Sequence, residues 1–99
     1  MSQYTVYKNP EGRGYLLDLQ AGINSHFSTR VVAPLFLLEE IPVFAKGLNP
    51  VFEVEGQRVV MMTQGMAAVP VQMLKQPVMS LADRRVEIVA ALDLLFQGF

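Results

Sequence analysis

Residues 51–63 read Val51-Phe52-Glu53-Val54-Glu55-Gly56-Gln57-Arg58-Val59-Val60-Met61-Met62-Thr63. Two runs rich in β-branched and apolar residues, 51–54 and 58–63, flank Glu55 and Gly56, and the glycine can take the positive φ that a two-residue hairpin turn demands. This stretch predicts an antiparallel hairpin, and its surroundings extend it into a sheet. Residues 3–8 alternate, with Tyr4 and Val6 on one face and Thr5 and Tyr7 on the other, as a half-buried strand does. Asn9, Pro10, Glu11 and Gly12 turn the chain, Arg13 and Gly14 stand at the loop tip, and residues 15–19 resume as a second strand. Residues 21–28 are small and polar and read as a loop. Residues 29–36 predict a third strand in which Pro34 marks an edge or a bulge. Residues 37–49 read as irregular, with at most a short strand, because Pro42 breaks the helical spacing of Leu37, Leu38 and Ile41.

Beyond the hairpin, residues 64–69 read as a connection and 70–74 as a short strand before a break at Gln76 and Pro77. From Ser80 the apolar period changes from two to 3.6. Leu81, Ile88, Val89, Leu92, Leu95, Phe96 and Phe99 then share one face of a terminal helix. Ser80 is the expected cap, with Asp83 three positions on to complete a capping box. Strands joined by hairpins and followed by one helix imply a mainly β fold, an antiparallel sheet strongly curved or closed into a barrel. No linker divides residues 1–99, so a single domain is expected.

Apolar residues make up 52% of the 99 and charged residues 17%, against a soluble norm of roughly 25% charged. With a mean hydropathy of +0.31, this is more apolar material than a lone domain of this size buries, which points to a homodimer or another obligate protein contact. A net charge of −1 provides no positive field for a nucleic-acid backbone, so no direct nucleic-acid partner is expected. There is no cysteine and one histidine, His26, which excludes thiolate chemistry, Cys-based zinc sites and multi-histidine metal motifs. No metal and no cofactor is expected. No run approaches the roughly 20 apolar residues of a membrane span, and a cytoplasmic location follows as an expectation.

The residues offer little catalytic chemistry. Glu39 and Glu40 are adjacent, so on a strand they would face opposite ways and read as solvated surface. His26 lies near Ser25, Ser28 and Arg30 without a visible orienting acid, and reads as an exposed loop histidine. Gly12, Arg13 and Gly14 lack phosphate-loop spacing. Arg84 and Arg85 open the helix, where Asp83 and Glu87 are placed to hold them; a phosphate site is the alternative. Met61, Met62, Met66, Met73 and Met79 read as core or dimer contact. Phe99 stands at the chain's end, either tucked back onto the sheet or presented as a partner-binding anchor.

Met61-Met62-Thr63, Met66-Ala67, Val69-Pro70-Val71 and the helix ending Ala91-Leu92-Asp93-Leu94-Leu95-Phe96-Gln97-Gly98-Phe99 together resemble the CcdB family of gyrase-poisoning toxins. Val6-Tyr7, Asp18-Leu19-Gln20, Arg30-Val31-Val32-Ala33-Pro34-Leu35 and Asn49-Pro50-Val51 fall in matching order, while residues 42–48 match poorly. The resemblance implies an SH3-like antiparallel barrel of the CcdB/Kid-like toxin fold with one C-terminal helix, and a homodimer within a type II toxin-antitoxin pair. It further implies a topoisomerase poison of the plasmid-maintenance kind, which binds the A subunit of DNA gyrase, traps the gyrase-DNA cleavage complex and is not itself an enzyme. A cognate CcdA-like antitoxin would neutralise it. The family's gyrase contact maps onto Asp93, Phe96, Gln97, Gly98 and Phe99, with Ile23 and Asn24 beside them. Where well-known members end in Trp, Gly, Ile, this chain has Gln97, Gly98, Phe99. Two alternatives stand beside this reading. One is a MazF/Kid-like endoribonuclease using Arg13, His26 or Arg30, and the other is a non-toxic homologue that keeps dimerisation and antitoxin binding.

Overall fold

The computed structural model describes residues 2–24 and 26–98, with Asn24 as backbone alone. Among these residues seven strands form: β1 (Thr5–Lys8), β2 (Tyr15–Asp18), β3 (Thr29–Leu37), β4 (Val51–Val54), β5 (Gln57–Met61), β6 (Ala67–Pro70) and β7 (Pro77–Ser80). One α-helix, α1 (Arg85–Gln97), closes the chain, and 3-10 turns occupy Gly22–Asn24, Leu38–Glu40, Thr63–Gly65, Val71–Met73 and Ala82–Arg84. All strand pairs are antiparallel, in the order β4-β5-β3-β2-β1-β7, with β6 also on β3. The fold is a curled antiparallel sheet with one C-terminal helix, as the strand pattern implies.

The β4–β5 hairpin forms where expected. Glu55 and Gly56 take φ of 54° and 77°, the two left-handed residues of a tight turn whose twist suits the flanking strands. The β1–β2 hairpin also forms, and Gly14 is obligatory there: at φ 84° a Cβ would sit 2.5 Å from the Leu35 carbonyl oxygen.

Pro34 departs from expectation, since β3 is an interior strand. One side of β3 pairs with β2 through residues 32–35; the other pairs with β6 through 29–32 and with β5 through 35–37. Pro34 stands where that second partner changes, so its missing N–H falls at a gap in the ladder, and its carbonyl accepts from Met62 N at 2.9 Å.

The C-terminal third also differs. The sixth strand is Ala67–Pro70, with Val71–Met73 a 3-10 turn, and the Pro77 break begins a seventh strand paired with β1. Proline is tolerated at the first residue of such an edge strand. The helix starts five residues later than Ser80. Ser80 Oγ accepts from Ala82 N at 3.1 Å, ahead of a 3-10 turn whose cap position is Leu81, and neither that turn nor α1 has a side-chain cap.

Burial is on both sheet faces, unlike the half-buried strands expected. The larger cluster joins Val6, Leu17, Leu35, Phe52, Val59 and Met61 to Ile88 and Ala91 of α1. A smaller one on the opposite face joins Tyr7, Leu16, Val32 and Leu74, where residues 69–74 fold over the sheet. Met61 is core, while Met66 and Met73 pack against the two clusters.

Candidate protein-docking surface

The first half of α1 is tightly seated. Ile88 and Ala91 are fully buried, and the helix packs chiefly on Thr63–Gly65 and on its own preceding turn, Ala82–Arg84. Burying the Ile88 side chain contributes roughly 1.5–3 kcal/mol. Arg84 ties this end to β4: its guanidinium lies 4.9 Å from the Phe52 ring centroid and Nη2 donates to Val51 O at 3.4 Å. The same guanidinium holds Glu87, Nε to Oε1 and Nη2 to Oε2 at 2.8 Å. That hydrogen bond lowers the Glu87 carboxyl below its ordinary value and raises Arg84. The expected Arg84–Glu87 pairing is therefore present, and Arg84 is engaged within the fold.

The last turn is open. Asp93 and Gln97 are exposed, and Phe96, placed by periodicity on the buried face, is 69% exposed. Core burial ends at Ala91, and residues 92–95 are half-buried or exposed, so the last turn of the helix lies beyond the core. Gly98 adopts φ 79° and donates its N–H to Leu94 O at 3.0 Å, a left-handed C-cap that glycine makes without steric cost. Phe99 and the Asn24 side chain lie outside the described residues.

Ile23 is 84% exposed on the Gly22–Asn24 turn. This turn is rooted in a buried ion pair that sequence reading did not find. Arg30 and Asp18 are both fully buried, with Arg30 Nε and Nη2 donating to Asp18 at 2.9–3.1 Å. Nη2 also donates to Gln20 O at 2.7 Å and Nη1 to Ala21 O at 3.4 Å, while Asp18 Oδ1 accepts from Gln20 N at 3.0 Å. The pair thus clamps the chain leading into Gly22. Arg30 shares the β3 face of Val32, and Asp18 the β2 face of Leu16, so the pair lies on the side of the smaller cluster. Alternation along β3 was the available signal. Gly22–Asn24 is not one of the principal neighbours of α1.

The remaining candidates do not converge. Glu39 and Glu40 lie in a 3-10 turn instead of a strand and both reach Arg13, at 3.3 and 2.9 Å, all three exposed. His26 stands edge-on to Phe27, ring centroids 4.3 Å apart, while Arg30 is buried away from it; Ser25 is outside the described residues. Tyr15 donates its hydroxyl to Glu55 Oε1 at 2.8 Å. Burial first, and then that carboxylate, push its pKa up to about 12, which keeps the phenol protonated. Among the described residues no group of three or more His, Asp or Glu could hold a metal ion, and no helix is long and apolar enough to cross a membrane.

The last turn of α1 thus leaves a large aromatic, Phe96, exposed at the helix end. The family model described as CcdB protein matches residues 3–98. The chain belongs to the CcdB family. Membership places it with the toxins of toxin-antitoxin pairs. Among solved structures, the Mycobacterium tuberculosis toxin MazF-mt6 is similar in fold, with a TM-score of 0.76 at 16% identity, covering 95% of this chain and 96% of that one. At that identity the likeness concerns the fold alone. Among curated proteins none matches significantly. This CcdB-family chain therefore shares its sheet-and-helix scaffold with a MazF toxin.

Proposed function

We propose that this CcdB-family protein is a toxin that binds the A subunit of DNA gyrase and traps the gyrase-DNA cleavage complex, blocking replication. The observation that carries the reading is the exposed Phe96 at the end of α1 in a chain matched by the family model over residues 3–98. A large aromatic held at a rigid helix end loses little entropy on docking and suits a binding hot spot. Phe96, Gln97, Gly98 and Phe99, with Asp93, form the docking tip, and Ile23 and Asn24 supply a second contact. Gln97 occupies the place of the family's tryptophan, so the apolar anchor is Phe96 with Phe99. The protein acts in the cytoplasm as a single-domain homodimer, is neutralised by a CcdA-like antitoxin, and makes or breaks no bond itself.

The MazF/Kid-like endoribonuclease is the less favoured reading. Arg30 is sealed against Asp18, so its guanidinium is not free over an RNA phosphate, and Arg13 stands exposed beside two carboxylates, Glu39 and Glu40, that repel one. Incubation of the protein with gyrase and supercoiled plasmid is the decisive experiment. Linear DNA after denaturation of gyrase is expected. Its absence at high protein concentration, with cleavage of purified RNA in its place, overturns the proposal. Antitoxin binding with neither activity identifies a non-toxic homologue.

A further inference from the structure

Residues 41–48 leave the sheet after the Leu38–Glu40 turn and pass beside α1 before β4 begins. At the end of this excursion Asn49 is 2% exposed, although asparagine is ordinarily a surface residue. Its side-chain amide is fully used. Nδ2 donates to Met61 O at 3.1 Å and to Gln64 Oε1 at 2.8 Å, which engages both protons. Oδ1 accepts from Ala45 N at 2.9 Å, and Asn49 N donates to Ala45 O at 2.8 Å. The buried Thr63 hydroxyl beside it donates to Leu48 O.

These bonds join residues 45–49 to residues 61–64, and both segments bear on the helix. Thr63–Gly65 is the turn on which α1 packs. On the other side, a methyl-sized atom at Gly47 would lie 3.6 Å from Leu94 Cδ2. Asn49, Phe44, Gly47 and Pro50 line one wall of a groove of about 350 Å³ whose other wall includes Ala90 of α1. An amide satisfied on three sides permits one arrangement of the segments it joins, whereas an apolar side chain would let them slide.

We propose that Asn49 is a positioning residue for the tip of α1. Its amide fixes the Thr63–Gly65 seat and the flanking excursion in one register, so that the last turn points Phe96 in a single direction. This rests on the reading of that tip as the docking surface, and it concerns how the tip is held.

Amide hydrogen exchange of the full chain tests it without a partner. Gln64 is exposed, so substitutions there spare the core. Gln64→Glu keeps an acceptor for Asn49 Nδ2, and Gln64→Ala removes it. In Asn49→Ala, exchange over residues 43–48 and 90–97 should rise about tenfold, as expected for loss of one ordinary buried hydrogen bond. Gln64→Ala should give a smaller rise at the same residues and Gln64→Glu none, with β2 and β3 unchanged in all three. Dissociation from a gyrase A-subunit fragment should accelerate in the same order. Uniformly faster exchange in Asn49→Ala, with residues 90–97 unmoved by Gln64→Ala, overturns the proposal and leaves Asn49 a general stabiliser. If the wild type does not bind gyrase, the docking reading falls, and the exchange pattern still decides the role of Asn49.

Discussion

The Asp18–Arg30 region and the last turn of α1 invert the usual rule of burial. In the first, a full pair of opposite charges has no solvent exposure; in the second, a phenylalanine is 69% exposed. Charges are rarely buried unless paired, and an exposed aromatic at an ordered helix end calls for a partner. The buried pair is answered inside the chain, because every buried nitrogen and oxygen of the two side chains has a partner in the other or in Gln20 and Ala21. Phe96 has no equivalent answer among the described residues. The contrast separates what holds this protein together from the surface on which the proposed function rests.

Removing one side of the buried pair should break the comparison most severely. Arg30→Ala leaves a carboxylate stranded in the interior and should cost about 3–5 kcal/mol by urea unfolding. An apolar replacement of both partners, Asp18→Leu with Arg30→Met, should recover only part of that loss, because the stranded charge is gone but Gln20 N, Gln20 O and Ala21 O lose their partners.

At the other pole, Phe96→Ala should weaken gyrase binding by about 2 kcal/mol or more, roughly thirtyfold. Its unfolding free energy should stay within about 0.5 kcal/mol of wild type, the range of ordinary surface changes. A collapse of thermal stability instead would make Phe96 a structural residue and dissolve the contrast.

The buried polar groups also set an alkaline limit. Tyr15 is raised from 10.0 to about 12 by burial and its bond to Glu55. A raised value favours the proton in the folded state, so this contribution is complete below pH 10 and is lost as pH rises toward 12. Stability should fall by about 1.4 kcal/mol between about pH 9 and about pH 11 from this group, and Tyr15→Phe should remove that component of the slope. The smallest effect belongs to the exposed counterpart of Arg30. Arg13→Ala, which releases Glu39 and Glu40 at the surface, should change stability by less than about 1 kcal/mol and lose that effect in high salt.

Local signals carried much of the architecture. The Glu55-Gly56 turn, the β1–β2 hairpin and the terminal helix are legible because turn chemistry and apolar period act within a few residues. The misread segments depend on distant partners. Pro34 fits an interior strand only because β5 and β6 meet beside it, and residues 77–80 become a strand only because β1 presents an open edge. At the candidate surface, the residue types at positions 93–98 and the family likeness were visible, whereas the exposure of Phe96 was not. Helical period assigns it to the apolar face, but core burial along that face stops at Ala91.

The sequence by itself determined that this is a mainly β chain with a C-terminal helix, poor in charge, without cysteine, and similar to the CcdB family along nearly its whole length. Those properties are written in composition, short-range spacing and residue order. Only the tertiary structure decided that Arg30 is sealed against Asp18, that Glu39 and Glu40 share Arg13, that Asn49 is buried beneath the helix, and that Phe96 stands in the open. Each of these depends on which surfaces the curled sheet brings together and where it stops. That geometry emerges from packing between residues far apart in the chain.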